Sequence, residues 1–277
     1  STQAKTLFPY TTLFRSSKKY LKQSLATLRE ITMRFSMEDA MRSFLNTFPD
    51  ETLAAYDTWV SDTHYHVRRL VSESTRPLLP WSRRLTLDYH IPVRYLDILS
   101  ADTTRFVTRS VANHLNDISK RDPDLVLEVL AKWKKEGRQE AKELAWMTRH
   151  SLRTLTKQGH AGALASIGYL DNHEIRVIDF SHSTVSGVLA LGGKLALALK
   201  LQSLTDSLLR IDYVIDFVKA NGKTKPKVFA WKKVAVTAGG ELVLKKSHHF
   251  KSDATTFKLY PGTHNVTLQI NGKRYAS

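Results

Sequence analysis

Asp57-Thr58-Trp59-Val60-Ser61-Asp62-Thr63-His64-Tyr65-His66-Val67-Arg68-Arg69-Leu70-Val71 is echoed forty residues later by Asp97-Ile98-Leu99-Ser100-Ala101-Asp102-Thr103-Thr104-Arg105-Phe106-Val107-Thr108-Arg109-Ser110-Val111. The shift superposes Asp57, Asp62, Val67, Arg69 and Val71 on Asp97, Asp102, Val107, Arg109 and Val111. A third copy puts Met147 and Arg149 at the same phase, and Arg29 and Ile31 fall one period earlier. The flanking segments are helical in pattern. Leu21, Leu25, Leu28, Ile31 and Phe35 recur at three- and four-residue spacing, as do Leu125, Val129, Leu130 and Trp133. Asp122-Pro123 reads as an N-cap with proline in the first turn, and Gly137 after two lysines reads as a stop.

A helical period near 40 residues predicts an all-α solenoid of HEAT-like or armadillo-like repeats, each helix pair burying its apolar face on its neighbours. Within it the recurring Arg69, Arg109 and Arg149 have two roles open to them: an Asp–Arg ladder between repeats, or a row of phosphate contacts on the concave face. The period then changes to two. Leu195, Leu197, Leu199 and Leu201 alternate with Ala196, Ala198 and Lys200, and Ile211, Tyr213, Ile215 and Phe217 alternate with Asp212 and Asp216, the pattern of half-buried strands. Asn221-Gly222, Gly239-Gly240 and Asn271-Gly272 supply the positive-φ residues of hairpin turns. The domains expected are therefore helical repeats over 17–172, a linker over 173–184, and an antiparallel β-sandwich over 185–277 whose last strand, starting at Lys273, is cut short. Residues 1–16 are set aside, because Leu7-Phe8-Pro9-Tyr10-Thr11-Thr12-Leu13-Phe14-Arg15-Ser16 reads like a translated sequencing adapter. The helical domain is then expected to lack its natural N-terminus.

Of 277 residues, 42 are Lys or Arg and 26 are Asp or Glu, a formal charge of +16, and none is cysteine. The missing thiols exclude disulfides, thiol nucleophiles and Cys-based metal sites, and point to the cytoplasm. The apolar run Val188–Leu199 is broken by Gly192, Gly193 and Lys194 and falls short of the ~20 residues of a membrane span. An excess of positive charge in such a protein points to nucleic acid. Residues 185–277 hold 15 basic and 5 acidic residues, so the β region carries most of the excess. Its Lys223, Lys225, Lys227, Lys232, Lys233, Lys245 and Lys246 fit phosphate contacts, or a sheet edge protected against pairing.

Two blocks carry a family likeness. His66-Val67-Arg68-Arg69-Leu70-Val71-Ser72-Glu73-Ser74-Thr75-Arg76-Pro77 with Leu79-Pro80-Trp81, and Arg109-Ser110-Val111-Ala112-Asn113-His114-Leu115-Asn116-Asp117-Ile118-Ser119-Lys120 with Asp122-Pro123-Asp124-Leu125-Val126, resemble the AlkC branch of the HEAT-like DNA alkylation-repair glycosylases. The resemblance runs from about Leu21 to Tyr169, and some members add a C-terminal immunoglobulin-like domain. It implies excision of cationic N-alkylated bases, of the 3-methyladenine or 3-methylcytosine kind, from duplex DNA without flipping the base. That chemistry asks for a carboxylate to stabilise the sugar cation and hold water, and for an aromatic face beside the positive charge. The residues implied as catalytic are Glu38, Glu73, Asp117 and Trp81. DNA contacts are expected from Arg68, Arg69, Arg76, Arg109, Arg149, Lys232, Lys233, Lys245 and Lys246, with no cofactor, no metal and a monomeric, nucleoid-associated protein.

Each residue also has a plainer role. Glu38 fits a first-turn carboxylate behind Ser36 as N-cap, and Trp81 fits a core anchor. Asp117 near a helix C-terminus opposes the dipole and asks for another reason. Asp39 stands where the family has an aromatic residue. Trp59 and Trp133 belong on apolar stripes, His64 and His66 point apart on a helix, and His248 and His249 face opposite sides of a strand. A non-catalytic repeat scaffold binding nucleic acid or protein is the alternative function.

Overall fold

The structure is a computed structural model that describes residues 18–170, 174–183, 188–252 and 258–275; the segment read as adapter lies outside them. It divides into two compact units between Thr154 and Leu155. Among the described residues ten α-helices come first: α1 (Leu21–Thr32), α2 (Glu38–Thr47), α3 (Pro49–Trp59), α4 (Tyr65–Ser74), α5 (Val93–Leu99), α6 (Arg105–Ile118), α7 (Pro123–Glu136), α8 (Ala141–Ser151), α9 (Arg153–Gln158) and α10 (Ala161–Ala165). In the first unit α1, α4, α6 and α8 pack in succession, with α3, α5 and α7 laid against them. The four repeated aspartates explain the succession. Asp62 and Asp102 reach back one repeat, accepting from Arg29 Nε at 2.7 Å and Arg68 Nε at 2.5 Å. Asp57 and Asp97 reach forward, accepting from Tyr95 Oη at 2.8 Å and Trp133 Nε1 at 2.7 Å. Asp62 and Asp102 also accept from the backbone N–H two residues on, at 2.8 Å, fixing the entry of α4 and α6.

The ladder arginines are thus Arg29 and Arg68, the second one place before the phase read from sequence. Asp122 caps α7 through the Leu125 N–H at 3.0 Å, and Gly137 ends it at φ +63°, as its sequence predicts. Trp59 and Trp133 are buried as expected. Phe35 is not on the α1 stripe. The helix ends at Thr32 and leaves the ring exposed.

The second unit begins within α9 and contains, among the described residues, two antiparallel sheets. Its strands are β1 (Ile175–Ser183), β2 (Lys194–Ser203), β3 (Ser207–Val218), β4 (Thr224–Val236), β5 (Glu241–His249), β6 (Val266–Ile270) and β7 (Lys273–Tyr275). The sheet orders are β1-β2-β5 and β4-β3-β6-β7. Leu195, Leu197, Leu199 and Leu201 of β2 meet Leu209, Ile211, Tyr213, Ile215 and Phe217 of β3 between them; burying one such leucine contributes roughly 1.5–3 kcal/mol. Three expectations need correction. The stretch taken as a linker, 173–184, holds strand β1. Gly239-Gly240 does not close a hairpin but carries the chain from β4 in one sheet to β5 in the other, whereas Asn221-Gly222 and Asn271-Gly272 do turn hairpins. And β3 is buried on both faces. Residues 155–170 cover its second side: Lys157 and Leu170 carbonyls accept from Gln269 and Asn271, and a Cβ on Gly159 would lie 2.7 Å from the Gly272 carbonyl oxygen. Asp212 therefore sits buried, paired with Arg210 at 2.7 Å, rather than on a solvated face.

Candidate active site

Glu38, Glu73 and Asp117 lie on α2, α4 and α6, and a single chain of alternating charge joins them. Arg69 Nη2 stands 3.9 Å from Glu38 and 3.7 Å from Glu73. Arg76 then donates to Glu73 Oε1 through Nη1 at 2.6 Å and to Asp117 Oδ2 through Nε at 2.9 Å. Lys120 Nζ closes the far end, 3.2 Å from Asp117. Ser36 donates to Glu38, and Ser110 donates to Glu73 Oε2 at 2.7 Å. The three acids are 8%, 3% and 2% exposed, and such burial is tolerable because each carboxylate is met by cations and hydroxyls. Burial by itself pulls the Arg76 guanidinium down; Glu73 and Asp117 outweigh it and hold it above its ordinary value. The unfavourable place of Asp117 at the end of α6 has its reason here. Arg76 and Lys120 stabilise it far more than the dipole opposes it.

Two positions read as DNA contacts turn inward. Arg68 is held by Asp102 and by the Asp62 carbonyl at 2.8 Å, and Arg76 is buried between its carboxylates. Arg109 and Arg149 are exposed, and Arg109 lies 5.6 Å from the Phe106 ring. In the second unit Lys232, Lys233 and Lys245 are exposed, while Lys246 donates to the Ala230 carbonyl at 2.6 Å. Lys245 and Lys246 line a groove of about 530 Å³ across β1, β2 and β5.

Trp81 is not a core anchor. It is 68% exposed, in the segment between α4 and α5, and one face of α2 pins the residues after it. Asp39 accepts from Ser82, Arg42 Nε donates to the Arg83 carbonyl at 2.7 Å, and Asn46 binds the Arg84 carbonyl at 2.8 Å and the Thr86 N–H at 3.0 Å. Positions 39, 42 and 46 share that face by helical spacing. Asp39, where the resembled family has an aromatic, thus anchors the neighbour of Trp81. Ser36 donates to the Glu38 carboxylate rather than capping α2, whose N-cap is Met37.

Sequence reading gave no role to Arg42, Phe106, Ser110 or His114. Arg42 is wholly buried, Nη1 bonding the carbonyls of Ser74 and Arg76 at 3.1 and 2.7 Å, and burial lowers its pKa. His114 is sealed in α6. Its Nδ1 donates to the Ser72 carbonyl at 3.0 Å, and burial first, Arg76 second, push its pKa down to about 3. Helical spacing could have found Ser110 and His114, which stand seven and three residues before Asp117 on its face of α6. His64 and His66 do not point apart. His64 lies just outside α4 as its N-cap, accepts from the His66 N–H at 3.3 Å, and its ring centroid is 5.2 Å from that of His66. His248 reaches Tyr213 and His249 the Gly192 carbonyl, on opposite sides of β5. Among the described residues no cluster of three His, Asp or Glu side chains is arranged to hold a metal ion, and no helix is long and apolar enough to cross a membrane.

Residues 180–277 match the family model described as the C-terminal Ig-like domain of the uncharacterised protein YhaZ. The uncharacterized protein YhaZ of Bacillus subtilis is 34% identical over 255 residues, 91% of this chain and 70% of that protein. The solved structure of Pseudomonas fluorescens alkylpurine DNA glycosylase AlkC, bound to DNA containing an abasic site analog, is 38% identical with a TM-score of 0.86, covering 93% of this chain and 71% of that one. At that identity, over more than two thirds of each relative, the chain belongs to the family of YhaZ and AlkC.

Proposed function

We propose that the protein is a DNA glycosylase of alkylation repair, whose helical unit is a stack of HEAT-like repeats and whose substrates are cationic N-alkylated bases in duplex DNA, attacked without flipping. The observation that carries this reading is the convergence of Glu38, Glu73 and Asp117 through Arg69 and Arg76, in a chain so similar to AlkC. A positively charged base is already a good leaving group. What remains is to stabilise the sugar cation and to orient water, and a carboxylate does both. Trp81 offers an exposed aromatic face to the positive charge, and Glu38, the outermost of the acids, is the nearest in sequence to the helix face that steadies it. Near-complete burial of the acids suits a shallow site against which a stacked lesion is pressed rather than a pocket that swallows it. Arg109 and Arg149 on the helical unit and Lys232, Lys233 and Lys245 on the β unit are assigned to phosphates, and Arg69, first read as a DNA contact, to the carboxylates it lies between. Arg68 and Arg76 are assigned to holding the protein together.

One observation favours the scaffold alternative: every acid is already neutralised, as in a structural polar core. Single-turnover base release from a duplex carrying one 3-methylcytosine separates the two. The glycosylase reading expects release that Glu73→Gln and Asp117→Asn slow roughly 10²–10³-fold; a scaffold releases nothing.

A further inference from the structure

The cations of the site are not held alike. Arg76 makes hydrogen bonds of 2.6 and 2.9 Å, and its side chain is 10% exposed. Arg69 approaches its two carboxylates at 3.9 and 3.7 Å, too far for hydrogen bonds. It donates to the Ser36 hydroxyl at 2.9 Å, its guanidinium carbon lies 4.6 Å from the Phe106 ring centre, and its side chain is 17% exposed. A cation set between two carboxylates and against an aromatic face is the environment a positively charged lesion needs. In the free protein that place is filled by the protein's own arginine. Glu38, Glu73 and Asp117 are balanced by Arg69, Arg76 and Lys120, so a further positive charge gains little attraction while all three cations remain.

We propose that Arg69 is an exchangeable counter-ion, which leaves its place between Glu38 and Glu73 when a positive charge on the base or sugar arrives there, and so decides specificity for cationic lesions. The inference rests on the glycosylase reading above and deepens it. A neutral lesion cannot compensate the carboxylates for the loss of Arg69, leaves the arginine where it is, and meets a neutralised site. A cationic lesion replaces it, and the freed guanidinium then has the phosphates of the bound duplex as new partners.

The test compares binding of two duplexes, one with a neutral tetrahydrofuran abasic analogue and one with a protonated pyrrolidine analogue, by wild type, Arg69→Gln and Arg69→Lys. Removing the resident cation should raise the preference for the pyrrolidine duplex roughly three- to tenfold, while Arg69→Lys stays near wild type. Ser36→Ala, which takes away the hydroxyl shared by Arg69 and Glu38 and keeps both charges, should move the preference the same way by less, and serves if the glutamine variant does not fold. An unchanged preference with equally weakened binding of both duplexes makes Arg69 a plain phosphate contact, and a reduced preference makes it a prop for the carboxylates; either overturns the exchange. Wild type that binds neither duplex better than undamaged DNA overturns the glycosylase reading and the exchange together.

Discussion

Arg76 links Glu73 to Asp117, so Arg76→Met leaves two buried carboxylates facing each other. The loss of stability should be about 3–5 kcal/mol by chemical denaturation, far beyond the effect of neutralising exposed Arg149. His114 sets a pH dependence. Its folded pKa of about 3 lies below the ordinary value near 6.5, so the unfolded chain binds a proton that the folded chain refuses. Stability is therefore fully present above about pH 6.5 and falls as pH drops toward 3, with this residue contributing up to about 1.4 kcal/mol per pH unit. His114→Gln should flatten that slope in denaturation measured from pH 7 to 4; an unchanged slope would remove His114 from the account. At this scale sequence was informative about identity and blind to partners. The position of Asp117 at a helix C-terminus signalled an unusual demand, but nothing in the chain order tells that Arg68 turns to Asp102 while Arg69, its neighbour, turns to Glu38 and Glu73. That choice comes from one 100° step around α4.

At the scale of elements, α2 does two things at once. It begins with Glu38, and its face at Asp39, Arg42 and Asn46 ties down Ser82 to Thr86. Asp39→Ala should therefore loosen the segment next to Trp81, reducing the rate on cationic lesions more than binding of undamaged duplex, and should speed proteolytic cleavage between residues 82 and 86. Equal rates with intact protease resistance would show that the tie is idle. The repeat was legible because its aspartates recur at forty residues, and the turns of β3–β4 and β6–β7 were legible because Asn-Gly favours them. The passage from β4 to β5 was not. Gly239-Gly240 supplies a positive φ in either topology, and only the packing of the two sheets decides which. For the same reason β3 looked half-buried, since alternation cannot announce that residues 155–170 will cover its polar face.

For the molecule as a whole, the proposed function expects charge to set the binding of undamaged DNA. Neutralising Lys232, Lys233 and Lys245 to glutamine should lower the steepness of affinity against salt by up to about 0.9 for each phosphate that a lysine had neutralised, with little change in the rate of chemistry at saturating enzyme. A slope that does not move would assign those lysines to the sheet edge alone. Such binding is shared by scaffolds and enzymes, so it cannot tell a glycosylase from a scaffold. Base release can. Wild-type protein and its Glu73→Gln and Asp117→Asn variants, each at saturating concentration, would be mixed with a duplex carrying a single 3-methylcytosine, and the free base measured over time. Wild type should release the base rapidly, each variant should lose roughly 10²–10³-fold, and all three should bind undamaged duplex with nearly equal affinity. Release by wild type no faster than from the duplex alone, with that duplex bound, would contradict the glycosylase reading.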